Sequence, residues 1–241
     1  KNKFAKRIFS LFSFCSHAFF TQGRLQFLKW LLTKDSFEKI MAVKTDFFVS
    51  CGSSISGINQ LLSQDHNAKS IVVLKPSILG FDRFDLVIMP QHDAKQQDMP
   101  RNVAVVHAAP NMMSDHYLSE QAKILQGHFS HLKNRATLKI GVLLGGDSKH
   151  VYVSMQQATI LVHQLKNIAK NLGADLLITT SRRTPANIDH LLSKTFKKDP
   201  ACPLLILPNQ EDVPEAMGGI LGLADIVLVS GDSISMVSEA A

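Results

Sequence analysis

The sequence predicts an α/β chain made of two successive units of parallel, doubly wound sheet. Three observations point there. From residue 46 onward, short β-rich runs alternate with longer helical stretches through brief loops. Runs such as the Leu-Val-Ile-Met stretch after Asp85 are continuously apolar, as strands buried on both faces must be. A polar helical stretch over residues 115–136 separates one set of runs from the next, so the expected domains are 45–114 and 137–241.

Ahead of both lies a basic, Phe-rich segment, residues 1–44, expected to be helical. It holds nine Lys/Arg and two Asp/Glu, a local net of +7, and residues 1–48 carry ten of the 14 Phe. The run Ile8 to Phe20 follows Lys1, Lys3, Lys6 and Arg7, which is the layout of a signal peptide. It is shorter than the roughly 20 apolar residues a spanning helix takes. Ser10, Ser13, Ser16 and His17 interrupt it, and no small-x-small cleavage site follows. A second stretch, Leu25 to Met41, is expected to be one amphipathic helix. Leu25, Phe27, Leu28, Leu31 and Leu32 lie on one side and Lys29, Lys34, Asp35, Glu38 and Lys39 largely elsewhere. Two readings stand for the segment: helices that cover a sheet, or a basic amphipathic surface that lies on an anionic membrane.

In the first unit the expected strands are Asp46–Ser50, Ser70–Leu74, Phe84–Met89 and Asn102–His107, with a helix over Ile58–Gln64. In the second they are Lys139–Leu144, Asp175–Thr180, Pro203–Leu207 and Asp225–Val229. The intervening helices are Ser154–Asn171, closed by Gly173 as its C-cap; Pro185–Lys197, with proline at its first turn; Glu211–Gly222; and one that opens near Ser233. The chain stops at Ala241 inside that last helix, so the expectation is of a chain cut at its C-terminus, and at its N-terminus too.

Composition narrows the function. The formal net charge is +6 and the pI about 9.2, but residues 45–241 hold 17 Lys/Arg against 18 Asp/Glu. The basic excess is confined to the first fifth, so nucleic acid is not an expected partner. With 45% hydrophobic and 19% charged residues, the chain has what a packed core needs. Cys15, Cys51 and Cys202 are widely spaced with no Cys-x-x-Cys. No disulfide framework or zinc site is expected. Lone thiols fit a reducing compartment, hence a cytoplasmic location, peripheral to a membrane if residues 1–44 bind one. His128 and His131 are three apart with no third ligand, so no metal site is expected.

The expected chemistry sits in the second unit. In a parallel sheet, ligands bind outside the carboxyl ends of the strands. Four strand ends there are polar: Gly145-Gly-Asp-Ser148, Ser181-Arg-Arg-Thr184, Pro208-Asn-Gln-Glu-Asp212 and Ser230-Gly-Asp-Ser233. Glycine lets backbone approach a ligand, and Arg182 and Arg183 can hold phosphate oxygens. Asp147 and Asp232 would repel phosphate and read better as caps or hydroxyl acceptors. Each loop alone could equally be a plain helix cap; the four together on one rim point to a phosphate-bearing ligand. Neither Gly-x-Gly-x-x-Gly nor a P-loop lysine motif is present, which disfavours a dinucleotide dehydrogenase or an NTPase. In the first unit His92-Asp93 and His107 fall at expected strand ends, facing an expected interdomain cleft. Either could be a general base working near neutral pH, or an ordinary satisfied or exposed histidine.

Several strings carry a resemblance. They are Phe84-Asp-Leu-Val-Ile-Met-Pro-Gln-His-Asp93, Asn102-Val with Ala109-Pro-Asn111, Ile140-Gly-Val-Leu-Leu-Gly-Gly-Asp-Ser148, Thr180-Ser-Arg-Arg-Thr-Pro185 and Ser230-Gly-Asp-Ser-Ile-Ser-Met-Val-Ser-Glu-Ala240. Over residues 46–241 the chain resembles the domain family named for a plant mitochondrial-fission protein. That family in turn resembles glycosyltransferases with two Rossmann-like domains (GT-B). The resemblance implies a nucleotide diphosphate sugar as donor ligand in the C-terminal domain, an unknown acceptor at the N-terminal domain, and no required cofactor. It implies that Gly145, Gly146 and Ser148 approach the donor diphosphate and that Arg182, with Ser181 and Arg183 on its loop, neutralises it. Ser233 and Ser235 would add contacts, and Glu239 would take a ribose or sugar hydroxyl. The family name implies the alternative of a non-catalytic scaffold that recruits a membrane-remodelling partner.

Overall fold

The structure is a computed structural model that describes residues 29, 32–53, 55–76, 79–94, 99–133, 135–147 and 152–241. The described residues form two four-stranded sheets in which every strand pair is parallel. The mixed α/β class and the two Rossmann-like sheets are those the alternation of runs predicts. The chain divides into two compact units, Lys1–Pro110 and Asn111–Ala241.

The first unit contains β1 (Phe47–Cys51), β2 (Lys69–Val73), β3 (Leu86–Pro90) and β4 (Val103–Val106), side by side in chain order. Each strand lies within two residues of its expected start. Helix α1 (Lys34–Ala42) and helix α2 (Ser56–Asp65) accompany them. The single helix expected over Leu25–Met41 does not run through. Thr33 is extended (φ −65°, ψ 154°), and its hydroxyl accepts the Ser36 N–H. Periodicity finds the apolar stripe, but a threonine that satisfies a free amide starts a helix of its own. Residues 25–28, 30 and 31, like 1–24, lie outside the described residues. Leu61 and Leu62 of α2 pack with Leu32, Phe37, Ile40 and Phe48. Asn59 stitches α2 to the sheet, donating to the carbonyls of Phe48 (2.9 Å) and Ile71 (2.8 Å). Asp85 locks β2 to β3, accepting from Lys69 Nζ (2.8 Å), the Ser70 N–H (2.8 Å) and the Ser70 hydroxyl (3.0 Å). The Lys69 hydrogen bond is the chief reason its carboxyl titrates below the usual range.

The second unit contains β5 (Lys139–Leu143), β6 (Asp175–Thr179), β7 (Leu204–Ile206) and β8 (Ile226–Val229) in the order β7-β6-β5-β8. Its helices are α3 (Asp115–His128), α4 (Met155–Leu172), α5 (Ala186–Phe196), α6 (Ala216–Leu223) and α7 (Ile234–Ala240). Both sheet faces are apolar, as parallel strands require. Ile140, Val142, Leu176 and Ile178 face a core shared with Val162 and Leu165 of α4 and Leu192 of α5. Leu143 and Leu177 face the other core, with Leu125 of α3 and Ile220 of α6. Ser154 closes a capping box with Gln157 at the start of α4, and Gly173 ends that helix at φ 60°.

Residues 115–128, read from sequence as part of a connector, fold as α3 inside the second unit and lie along α6. The expected polar helical stretch is a helix here, and its Ala122 and Leu125 are buried. The close approach depends on α6 glycines: a Cβ at Gly222 would stand 2.3 Å from the Leu118 carbonyl oxygen. The helix expected from Glu211 begins only at Ala216. Val213 precedes Pro214, and a residue before proline is held away from helical conformation.

At the amino end of β6, Asp175 is buried and accepts the Arg135 guanidinium fork and the Thr137 hydroxyl. Burial pushes its pKa up, but those hydrogen bonds outweigh it and hold the carboxyl below the usual carboxylate range. Cys202 is buried, and desolvation, reinforced by Asp199, pushes its thiol up to about 12. Among the described residues no helix is long and apolar enough to cross a membrane.

Candidate functional site

Because β5 to β8 run parallel, the four loops that follow them emerge on one rim. The strand order reverses between β5 and β8, so the loops after these two strands flank a topological switch point, where open α/β sheets offer a crevice.

The four loops are hydrogen-bonded into one body. The Gly145 N–H donates to Ser230 Oγ (2.7 Å) and the Gly146 N–H to Asp232 Oδ2 (2.6 Å), tying the β5 loop to the β8 loop. The Asp147 N–H donates to the Arg183 carbonyl (3.1 Å), and the Thr184 hydroxyl donates to the Gly145 carbonyl, tying it to the β6 loop. Asn209, after β7, donates to the Thr184 carbonyl (3.1 Å) and to Asp189 Oδ2 (2.9 Å). Asp189, 2% exposed in α5, also accepts from Thr180 (3.0 Å). Buried polar groups partnered in this way fix their loops in one arrangement.

The glycines serve these contacts. A Cβ on Gly146 would sit 2.3 Å from Arg183 C and Thr184 N, and one on Gly145 would sit 1.9 Å from Asp232 Oδ2. Their amides, expected from the resemblance to approach a diphosphate, are engaged by Ser230 and Asp232. Asp232 thus works as an acceptor across loops, and Asp147 accepts the Val153 N–H (3.0 Å), while Ser154 caps α4.

Six of the expected residues share one cavity of about 520 Å³: Ser181, Arg182, Arg183, Ser233, Ser235 and Glu239. Asp212, Met217 and Met236 also line it. Arg183 reaches across the loops, donating to the Asp147 carbonyl (3.4 Å) and to Ser233 Oγ (3.4 Å). Both bonds are long, so the guanidinium is loosely held and can turn to a better acceptor. Arg182 pairs with Asp212 at 3.3 Å; their side chains are 76% and 73% exposed. Ser235 donates to Glu239 at 3.2 Å along one face of α7. Two cations therefore meet a set of hydroxyls, which can hold an anionic, hydroxyl-rich molecule, while the two carboxylates can accept from its hydroxyls but repel its charge.

The remaining expected residues are placed elsewhere. Gly145 lines a second, more apolar cavity of about 340 Å³ with Leu144, Tyr152, Val153 and Leu161. Ser148 lies outside the described residues. His92 and Asp93 form a short 3-10 turn directly after β3, and His107 follows β4. Both histidines are exposed at neighbouring strand ends of the first unit, and no hydrogen bond among the described residues joins the three side chains. Thr184 and Asn209 lie in loops the sequence singled out but without a role, and Asp189 was passed over; the three brace the Arg182–Arg183 loop. The available signal was Asp189, a carboxylate beside Ile188 on the inward arc of an amphipathic helix.

Comparison with known proteins bears on the whole chain. A curated relative, the mitochondrial fission protein ELM1 of Arabidopsis thaliana, is 25% identical over 213 residues, covering 80% of this chain and 48% of the relative. The chain thus spans about half the length of that relative. No solved structure gives a significant match. The family model described as Mitochondrial fission ELM1 matches residues 13–241, which takes in both sheets and the whole rim, and the chain belongs to that family.

Proposed function

We propose that the second unit binds a nucleotide diphosphate sugar at this rim and supports transfer of the sugar to an acceptor. The observation that carries the reading is the cavity of about 520 Å³ into which the β6 loop brings Arg182 and Arg183 beside Ser233, Ser235 and Glu239. Its size suits a small ligand. In this reading the two guanidinium groups hold the diphosphate and stabilise the charge that develops as it leaves. The serine hydroxyls complete its hydrogen bonds, and Glu239 accepts from a ribose or sugar hydroxyl. His92 with Asp93, or His107, is the candidate base for an acceptor, and no cofactor is required. Calorimetry and thermal shift on the full-length protein with uridine, guanosine and cytidine diphosphate sugars test it. Binding by one of them, weakened at least tenfold in Arg183→Gln, is the expected result; a folded sample that binds none refutes the reading.

A second reading rests on the local charge of +7 over residues 1–44, set against a body of −1, and on the likeness to a mitochondrial fission protein. Here the chain is a scaffold that meets an anionic membrane through its basic segment and recruits a remodelling partner. Vesicle co-sedimentation decides it: deletion of residues 1–44 abolishes binding to anionic vesicles if that segment is the anchor and leaves it unchanged if it is not.

A further inference from the structure

We propose that Asp212 is a built-in competitor for Arg182, an internal counter-ion that a ligand diphosphate must displace, and that it thereby sets how much charge a ligand needs to enter the rim. The inference rests on the diphosphate reading above and adds to it a residue that works against binding.

The geometry carries it. Arg182 comes from the β6 loop and Asp212 from the segment between β7 and α6, so neither holds the other in place by local structure. Their contact is one guanidinium nitrogen to one carboxylate oxygen at 3.3 Å, without the two-pronged geometry of a strong arginine–carboxylate pair. Both side chains are about three-quarters exposed, which makes the pair weak and readily exchanged. Asp212 lines the same cavity as Arg183, Ser233 and Glu239. A diphosphate held by the two arginines would therefore sit within a few ångströms of this carboxylate.

Two consequences follow from the charges. A carboxylate carries one negative charge and a diphosphate at least two, so the diphosphate gains more from the arginines than Asp212 does and replaces it. A singly charged anion gains no more than Asp212 and does not. Asp212 also repels the bound ligand directly, so its removal strengthens binding, the opposite of what loss of a ligand contact does.

The test uses the full chain with inorganic pyrophosphate and uridine diphosphate as probes, followed by calorimetry in low salt. Asp212→Asn is expected to bind both probes about three- to tenfold more tightly, the size of effect that one unit charge near a doubly charged ligand has in near-aqueous surroundings. Asp212→Glu, which keeps the charge, is expected to bind as the parent does. The gain should shrink in high salt and in the Arg182→Gln background. Unchanged or weaker binding by Asp212→Asn, with the parent binding normally, overturns this inference and leaves the diphosphate reading intact. If neither parent nor Asp212→Asn binds either probe, the diphosphate reading falls and this inference with it.

Discussion

Replacing Gly146 with alanine tests whether the rim is one braced body. The new Cβ would lie 2.3 Å from Arg183 C and Thr184 N and 2.4 Å from the Arg183 carbonyl oxygen. Carbon atoms rest about 3.5–4.0 Å apart, so the β5 and β6 loops would have to separate by more than 1 Å, roughly, at this point. All three atoms are backbone, so no side chain can swing away. Separation would strain the hydrogen bonds that join the loops, Asp147 N–H to the Arg183 carbonyl and Thr184 Oγ1 to the Gly145 carbonyl. Overpacking costs about 1–3 kcal/mol and partial strain on the two hydrogen bonds about 1 kcal/mol together, a combined 2–4 kcal/mol or so. For the 131 residues of the second unit, an unfolding entropy of about 2.1 cal/mol/K per residue turns that into a fall in Tm of roughly 7–14 °C. Thermal unfolding followed by circular dichroism measures it, and pyrophosphate titration reads the displacement of the arginine loop. Gly231→Ala is the control, since nothing lies within 4 Å of the Cβ it would gain. A Gly146→Ala protein that melts within about 1 °C of the parent and binds pyrophosphate equally well would show that the loops do not meet as described.

Three further outcomes are expected. Asp175→Asn leaves Arg135 without its buried carboxylate and should cost about 2–3 kcal/mol at pH 7, at or below the lower end of the range for a broken buried pair because Arg135 is one-third exposed. The Asp175 pKa is lowered by folding, so its contribution is complete above the unfolded value and fades as pH falls through the folded one; urea melts of parent and variant should therefore converge in acid, and a constant difference down to pH 2 would count against the pairing. Gly222→Ala, whose Cβ would press on the Leu118 carbonyl oxygen at 2.3 Å, should push α3 from α6 and lower Tm by several degrees, whereas an unchanged melt would contradict that packing. Cys202, with its thiol pushed up to about 12, should resist a thiol reagent at pH 8 in the folded protein and react once unfolded, while exposed Cys51 reacts in both.

Much of the second unit was legible because its signals are local. Apolar runs of strand length, Ser154 ahead of α4 and Gly173 behind it each act through their own backbone. The gathering of Ser181, Arg182, Arg183 and Ser233 on one rim followed from strand direction, since parallel strands must send their following loops to the same side; Ser235 and Glu239, in the helix that follows, were implied only by the family resemblance. The start of α1 at Lys34, after its cap Thr33, and of α6 at Ala216 escaped the periodic pattern, because caps and prolines override an apolar stripe.

What the sequence by itself determined is the class of fold, the two sheets and the rim on which arginines and hydroxyls collect, all consequences of hydrogen-bonding period and strand polarity. What only the tertiary structure decided is the work each rim residue does. Gly145 and Gly146 let loops approach one another, Asp232 receives an amide from 86 positions away, and Asp189 and Asn209 brace a loop to which neither is adjacent. α3 joins the second unit because three glycines of α6 let two helix backbones come close. Such contacts depend on distances between residues far apart in the chain, which no local pattern of polarity encodes.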